Sequence, residues 1–315
     1  MNSLCIKKCK YVMFIGHRYG FALMNLIDGK NLDVVHVFIE REHQHETEQY
    51  YNKIEEVCCK LKIPCSDSRD IQKQIDIMQE NNVDFVIVYG YRRIIKKEVY
   101  EKARYGAVAM HYSLLPKYRG FAPVNWALIN GEIETGVSLF FLTESLDEGD
   151  IIEQSSVNIE LSDDINSILV KCDADALKII DRQFVLFERG IINRIQQDNS
   201  QASYACARSP ADSVICWNDS TINIYNLIRA VTYPFSCAFT YFNGELLRII
   251  DAEIITDEKI WIGRIPGKVV SRITGKGVEI LTGDGVLLIK NVIDANENRV
   301  SADQLIKSVR IRLGA

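Results

Sequence analysis

The 315-residue chain contains no run of about 20 apolar residues, the length a helix needs to cross a bilayer, so no membrane span is expected. Its opening, MNSLCIKKCK, is too short and too polar for the apolar part of a secretory signal. Basic charge is not in excess. Lys and Arg number 37 against 42 Asp and Glu, giving a formal net charge of −5. That balance argues against a broad phosphate-binding face, and so against nucleic acid as a partner. Neither HExxH nor CxxC occurs and histidines number five, so no metal site is expected. There are six prolines and no low-complexity tract, as in a soluble globular protein. Cysteines are nine, an odd count scattered from Cys5 to Cys237, with Cys58 and Cys59 adjacent. Reduced thiols in a cytoplasmic protein are the expectation.

What is present is an alternation of short apolar runs and helical spacings. YVMFIG (11–16), DVVHVFIE (33–40), DFVIVYG (84–90) and GAVAMHY (106–112) read as buried strands. Between them GFALMNLID (20–28), residues 47–62, 71–82 and 96–103 have helical spacing, and Pro64 stops the second of these. This is the pattern of an α/β doubly wound, mostly parallel sheet, in which ligands collect at the carboxyl ends of strands. Residues 136–159 read as two extended segments around an acidic turn. A long amphipathic helix follows over 162–190, with Ser162 or Asp163 as N-cap and Gly190 as C-terminal cap.

Beyond a polar connection at 198–213 and a helix at 220–231, Gly-punctuated β segments with turns at Asn243-Gly244 and Asp284-Gly285 predict a small β-barrel. The expected domains are therefore 1–205 and 206–315. Gly16-His17-Arg18-Tyr19-Gly20 follows the first strand but lacks GxGxxG, so it reads as a tight βα turn rather than a dinucleotide fingerprint.

Chemistry is expected where GAVAMHYSLLPKYRG (106–120) leaves its strand. His111 stands at the strand end before a rigid Ser113-Leu114-Leu115-Pro116 turn, and Asp147 lies farther on in SLDEGD. A histidine and an aspartate on separate loops over one sheet edge can form an acid/base pair. A structural histidine and an ordinary turn carboxylate are the bland alternatives.

The stretch MHYSLLPKYRGFAPVNWALINGEIETGVSLFFLTESLDEGDII closely resembles the signature region of the folate-dependent formyltransferases: Asn-x-His, SLLPxYxG, then an LDxGD-like turn. RSPADSVICWNDSTINIYNLIRAVTYPFSCAFTYFNGELLRI resembles the OB-like C-terminal domain of the tRNA and amino-sugar members. The likeness is greatest to the enzyme half that formylates UDP-4-amino-4-deoxy-L-arabinose.

The resemblance implies formyl transfer from 10-formyltetrahydrofolate to a primary amine, without metal. His111 takes the place of the catalytic histidine, and Asp147 that of the aspartate that orients it. Arg93, Ile94 and Ile95 match one wall of a folate pocket. Thr143, Glu144 and Leu146 to Asp147 match the other, and Ser113 and Leu114 lie in the signature turn between. Ala109 stands where the family has asparagine, whose amide donates to the formyl oxygen; loss of one such donor costs about 10²–10³-fold in rate. Three explanations follow: an engineered, slowed variant, which is favoured; a natural enzyme with its donor elsewhere; or lost catalysis.

For the acceptor, the resemblance offers a nucleotide-linked (UDP or dTDP) amino dideoxysugar, used in surface glycans, or methionyl-tRNA. Residues 39–56 carry six glutamates against Arg41 and Lys53, which would repel phosphates and weighs against tRNA. Arg119, Phe121, Asn125, Trp126, Arg229 and Tyr233 are the candidate acceptor-binding residues; core or interface packing is their plain alternative. A folate- or nucleotide-sugar-binding protein without chemistry is the third class. Enzymes of this family often pair, which makes a homodimer compatible with the resemblance.

Overall fold

YVMFI is buried along its whole length, as a strand with neighbours on both sides and helices on both faces must be. In the computed structural model, which describes residues 8–42, 48–256 and 259–314, this run forms most of β1 (Lys10–Ile15). Cys5, most of the MNSLCIKKCK opening and residues 43–47 of the acidic stretch lie outside the described residues.

In chain order follow α1 (His17–Ile27), β2 (Asp33–Ile39), α2 (Tyr51–Leu61), β3 (Cys65–Asp67), α3 (Ile71–Asn81), β4 (Phe85–Tyr89), α4 (Lys97–Tyr100) and β5 (Ala107–His111). Next come β6 (Arg119–Gly120), α5 (Pro123–Ile129), β7 (Glu134–Phe141), β8 (Ile151–Asn158), α6 (Ile165–Glu188), β9 (Tyr204–Ala205) and α7 (Thr221–Val231). The chain continues through β10 (Ala238–Phe242), β11 (Glu245–Ile255), β12 (Val269–Ile273), β13 (Gly277–Leu281), β14 (Val286–Ile293), β15 (Arg299–Ser301) and α8 (Ala302–Leu305).

The chain divides into two compact units. The first is Met1–Arg119, Gly136–Val157 and Lys171–Tyr204; the second is Gly120–Thr135, Asn158–Val170 and Ala205–Ala315. The first is built on a seven-stranded sheet of order β3-β2-β1-β4-β5-β7-β8. Its strands are parallel from β3 to β5, and β7 runs antiparallel to β5. Phe14 stacks on Phe38 at 4.8 Å and Phe85 on Phe187 at 4.2 Å, filling the sheet's faces with aromatic area.

The second unit holds an antiparallel sheet, β10-β11-β14-β13-β12 with β15 on β14. Asn243-Gly244 makes the expected two-residue hairpin, both residues at positive φ (53° and 81°) as such a turn demands. The last residues bond both edges of this sheet, Leu313 N–H to Gly267 O at 2.8 Å and Gly314 N–H to Tyr241 O at 2.9 Å, which closes it.

Several element limits differ from expectation for local reasons. Helix α1 starts at His17, three residues early, because Gly20 lets it lie close to the strand: a Cβ there would sit 2.8 Å from Ile15 Cβ. Helix α2 starts at Tyr51, since the Glu42 carboxylate accepts the N–H groups of Tyr50 (2.6 Å) and Tyr51 (3.0 Å). The cap of α6 is Asp164, accepting from Ser167 N–H at 2.9 Å, rather than Ser162 or Asp163. Strand β3 and helix α5 carry too few residues for a pattern to show. No helix among the described residues is long and apolar enough to cross a membrane.

Candidate active site

His111 ends β5, where its backbone pairs with Ser138 of β7. The SLLP turn that follows is pinned from the same strand: Ser138 Oγ donates to Ser113 O at 2.6 Å and accepts from Leu115 N–H at 3.1 Å. Gln154 Nε2 adds bonds to Leu115 O at 2.9 Å and to Ser138 Oγ at 2.7 Å. The turn is therefore rigid, and it returns the Tyr118 carbonyl to within 2.8 Å of His111 Nε2.

On the other side of the ring, Nδ1 lies 3.6 Å from Asp147 Oδ2, with both side chains mostly enclosed. Asp147 sits on the loop between β7 and β8 with φ 54°, and Gly149 closes that loop so tightly that a Cβ would lie 1.7 Å from Phe141 O. Asp147 also has partners beyond His111. The two side chains thus converge, as an acid/base pair requires.

Tyr112, the next residue, points elsewhere. Its hydroxyl lies 2.9 Å from Tyr89 Oη and donates to Asp173 Oδ1 at 2.7 Å. Burial pushes the Asp173 carboxyl above its usual range, opposed by the Tyr112 hydrogen bond and by Arg18, 3.1 Å away. Sequence reading passed over this cluster, because nothing in a lone Asp on a helix face marks it.

A cavity of about 540 Å³ lies in the first unit, lined in part by Lys97, Tyr100, Phe141, Thr143, Glu144 and Asp150. Neither His111 nor Asp147 lines it, and Gly106 and Ala107 place it at the amino end of β5.

Residues 17–182 match the Formyl transferase family and residues 208–310 match its C-terminal domain. The chain belongs to the formyl transferase family. It is 32% identical over 258 residues to the bifunctional polymyxin resistance protein ArnA of Wigglesworthia glossinidia brevipalpis, 81% of this chain but 38% of that relative. Among solved structures it is similar to an N-formyltransferase from Helicobacter canadensis in complex with folinic acid and dTDP-3-aminofucose. There the TM-score is 0.68 at 16% identity, covering 90% of this chain and 98% of the other. HypX from Aquifex aeolicus in complex with tetrahydrofolic acid gives a TM-score of 0.65 at 16% identity, covering 95% of this chain and 47% of that one. At these identities the structures share the fold. The chain thus spans under half the length of ArnA and of HypX.

In this formyl transferase family member the residues expected to wall a folate pocket differ in exposure. Ile94 is 95% exposed and Leu146 50%, so two apolar side chains stand open on loops, whereas Ile95 is buried in the core cluster. Arg93 Nε is 3.5 Å from the buried Glu40 carboxylate, which also accepts Arg92 N–H at 2.7 Å and so fixes this loop. Thr143 Oγ1 donates to Ser145 O at 3.1 Å, and Glu144 pairs with Lys97 at 2.9 Å. Ser113 is buried with its hydroxyl given to Lys117 O at 2.6 Å, and Leu114 packs where Gly136 has no side chain. Ser113 is thus taken up within the turn, whereas Leu114 remains partly exposed.

The acceptor candidates separate too. Arg119 is 0% exposed, and its donors go to Gln197, Asn199 and Tyr204. Arg229 is buried and bonds Asn226, Glu160 O and Asp163 O. Trp126 Nε1 donates to Cys206 O at 2.8 Å and Asn125 Nδ2 to Ala230 O at 2.7 Å. For Arg119 a substrate contact is corrected to an anchoring role, because a buried guanidinium with filled donors has none to offer; Arg229 is held through Nε and Nη1. Phe121 is 57% exposed and shares a cavity of about 350 Å³ in the second unit with Asn125, Arg208 and Phe235. Tyr233 is half exposed beneath the Arg299 guanidinium at 3.6 Å.

Proposed function

We propose that this protein transfers the formyl group of 10-formyltetrahydrofolate to the amino group of a UDP- or dTDP-linked amino dideoxysugar. The observation that carries the reading is the His111–Asp147 pair, 3.6 Å apart, at the carboxyl end of β5 in a chain of this family. The exposed apolar side chains of Ile94 and Leu146 support a flat bicyclic donor on the same unit. The folate and amino-sugar nucleotide bound to the Helicobacter canadensis relative support the donor and acceptor classes.

In this reading the acceptor nitrogen adds to the formyl carbon and the bond from that carbon to N10 of the folate breaks. The proton lost by the amine ends on N10. His111 takes the proton from the attacking nitrogen. Asp147 orients the imidazole, balances its charge and helps pass the proton on. Ala109 presents a methyl group where the family asparagine donates to the formyl oxygen, so this form is slow. Phe121, Asn125 and Tyr233 are assigned to the acceptor, which the acceptor KM of their alanine variants reads. A cytoplasmic location belongs to the same reading.

The test is a panel of UDP- and dTDP-linked amino sugars incubated with 10-formyltetrahydrofolate, with formylated product followed by mass. Product from one sugar nucleotide, with both the Ala109 form and Ala109→Asn, is the expected result. Salt-sensitive binding and formylation of initiator methionyl-tRNA would move the acceptor to tRNA. No product from either form at high enzyme concentration, with folate still bound, would leave a binding protein.

A further inference from the structure

We propose that Gln197, held in one orientation by Arg119, is a positioning residue that fixes the turn carrying Asp147; the kinetic part of the proposal rests on the formyl-transfer reading. One side-chain amide makes four hydrogen bonds. Its Nε2 donates to Asp147 O at 2.8 Å and to Gly149 O at 2.7 Å. Its Oε1 accepts from Arg119 Nε at 3.1 Å and from Nη2 at 2.8 Å. Every hydrogen-bonding position of the amide is used, and Gln197 is only 6% exposed.

Polarity of the amide is set from behind. A reversed amide would press its NH₂ against a guanidinium and its oxygen against two carbonyls, so Arg119 admits one orientation only. Arg119 is itself locked. Nη2 also donates to Asn199 Oδ1 at 2.7 Å, Nη1 donates to Tyr204 Oη at 3.0 Å, and Glu148 Oε1 lies 3.2 Å from Nη1. Tyr204 in turn donates to Glu148 at 2.8 Å, so the residue next to Asp147 is tied to the same cluster.

The turn needs such a hold. Asp147 is in the left-handed region at φ 54°, which costs a non-glycine residue energy, and Gly149 sits against Phe141 O with no room for a side chain. Released from Gln197, the two carbonyls lose their donors and the backbone can relax, carrying the carboxylate off His111. The opposite side of the imidazole is held by the carbonyl of Tyr118, the residue just before Arg119. One buried cluster therefore governs both sides of the ring. A misplacement of about 1 Å at such a contact can cost about 10²-fold in rate.

Gln197→Glu tests this, because it keeps the shape and the oxygen that accepts from Arg119 but sets a second oxygen, with no N–H, against the carbonyls of 147 and 149. Two results are expected: kcat down about 10- to 100-fold with the folate KM little changed; and faster amide hydrogen exchange confined to 145–150. In an Asp147→Asn background the same change should have almost no kinetic effect, since it acts through that carboxylate. A merely structural role would lower kcat by the same factor in both backgrounds, and that result, or unchanged exchange at 145–150, overturns the proposal. Should Gln197→Glu not fold, Gln197→Met, neutral and of similar length, takes its place in the same measurements. If the parent formylates no acceptor, the functional reading fails and the exchange data alone decide the positioning role.

Discussion

His111 Nε2 donates to the carbonyl of Tyr118 at 2.8 Å, and this bond determines which side of the ring is left for chemistry. A carbonyl can only accept, so Nε2 carries a hydrogen, and Nδ1 is the nitrogen that faces Asp147, at 3.6 Å. Asp147→Asn keeps the shape of the pair and removes the charge that balances the imidazolium. Turnover should fall about 10²-fold or more, while a folate analogue binds almost as before. Single-turnover rates beside an equilibrium titration separate the two effects. Unchanged turnover would remove the pair from the mechanism.

The second prediction concerns Ala109. It lies two residues before His111 on β5, opposite Val88 and Phe140 of the flanking strands, and alternation along a strand puts its side chain on the face of His111. On the formyl-transfer reading, Ala109→Asn places an amide donor beside the reacting carbon. Turnover is expected to rise at least about tenfold, within the 10²–10³-fold range of one such donor. Equal rates for the two forms would refute the role assigned to that position.

The strands and this motif were legible in sequence because each is local. YVMFI and DFVIVY are apolar throughout, and Asn243-Gly244 announces its hairpin. The anchors were not legible, because their partners are remote in sequence. Arg119 reads as a free positive charge in KYRG until Gln197, Asn199 and Tyr204 surround it. Gln197 itself stands beside a polar connection and looks solvated. Trp126 sits in a motif rich enough to suggest a ligand contact, yet α5 turns its indole N–H to the carbonyl of Cys206. A sequence displays residue types, whereas burial decides whether a guanidinium is a ligand or a brace.

A third prediction uses the contrast between neighbours. Ile94 is 95% exposed, and Ile95 is packed in the core. Ile94→Ala removes no internal packing, so the thermal midpoint should hold while the KM for the folate rises several-fold, from apolar contact worth about 1 kcal/mol. Ile95→Ala opens a cavity and should cost about 2–4 kcal/mol of stability. Denaturant titrations of both variants, set beside their folate KM values, check the pair. An unchanged KM for Ile94→Ala would exclude that side chain from the folate wall.

The last prediction concerns pH. His36 on β2 is 5% exposed, lies against the ring of Phe38 and bonds Ser66 Oγ at 2.9 Å. Burial, with a smaller contribution from Lys73, pushes its pKa down from 6.5 to about 4. Between those two values the unfolded chain binds a proton that the folded chain refuses, so stability rises with pH across the window. The contribution is fully present above about 6.5 and is lost as the pH falls towards 4; at full extent it approaches about 3 kcal/mol. Urea midpoints should therefore fall between pH 7 and pH 4.5. In His36→Gln, which keeps a hydrogen-bonding group for Ser66 but does not titrate, that fall should be markedly shallower. Equal slopes for the two proteins would show that His36 does not control acid stability.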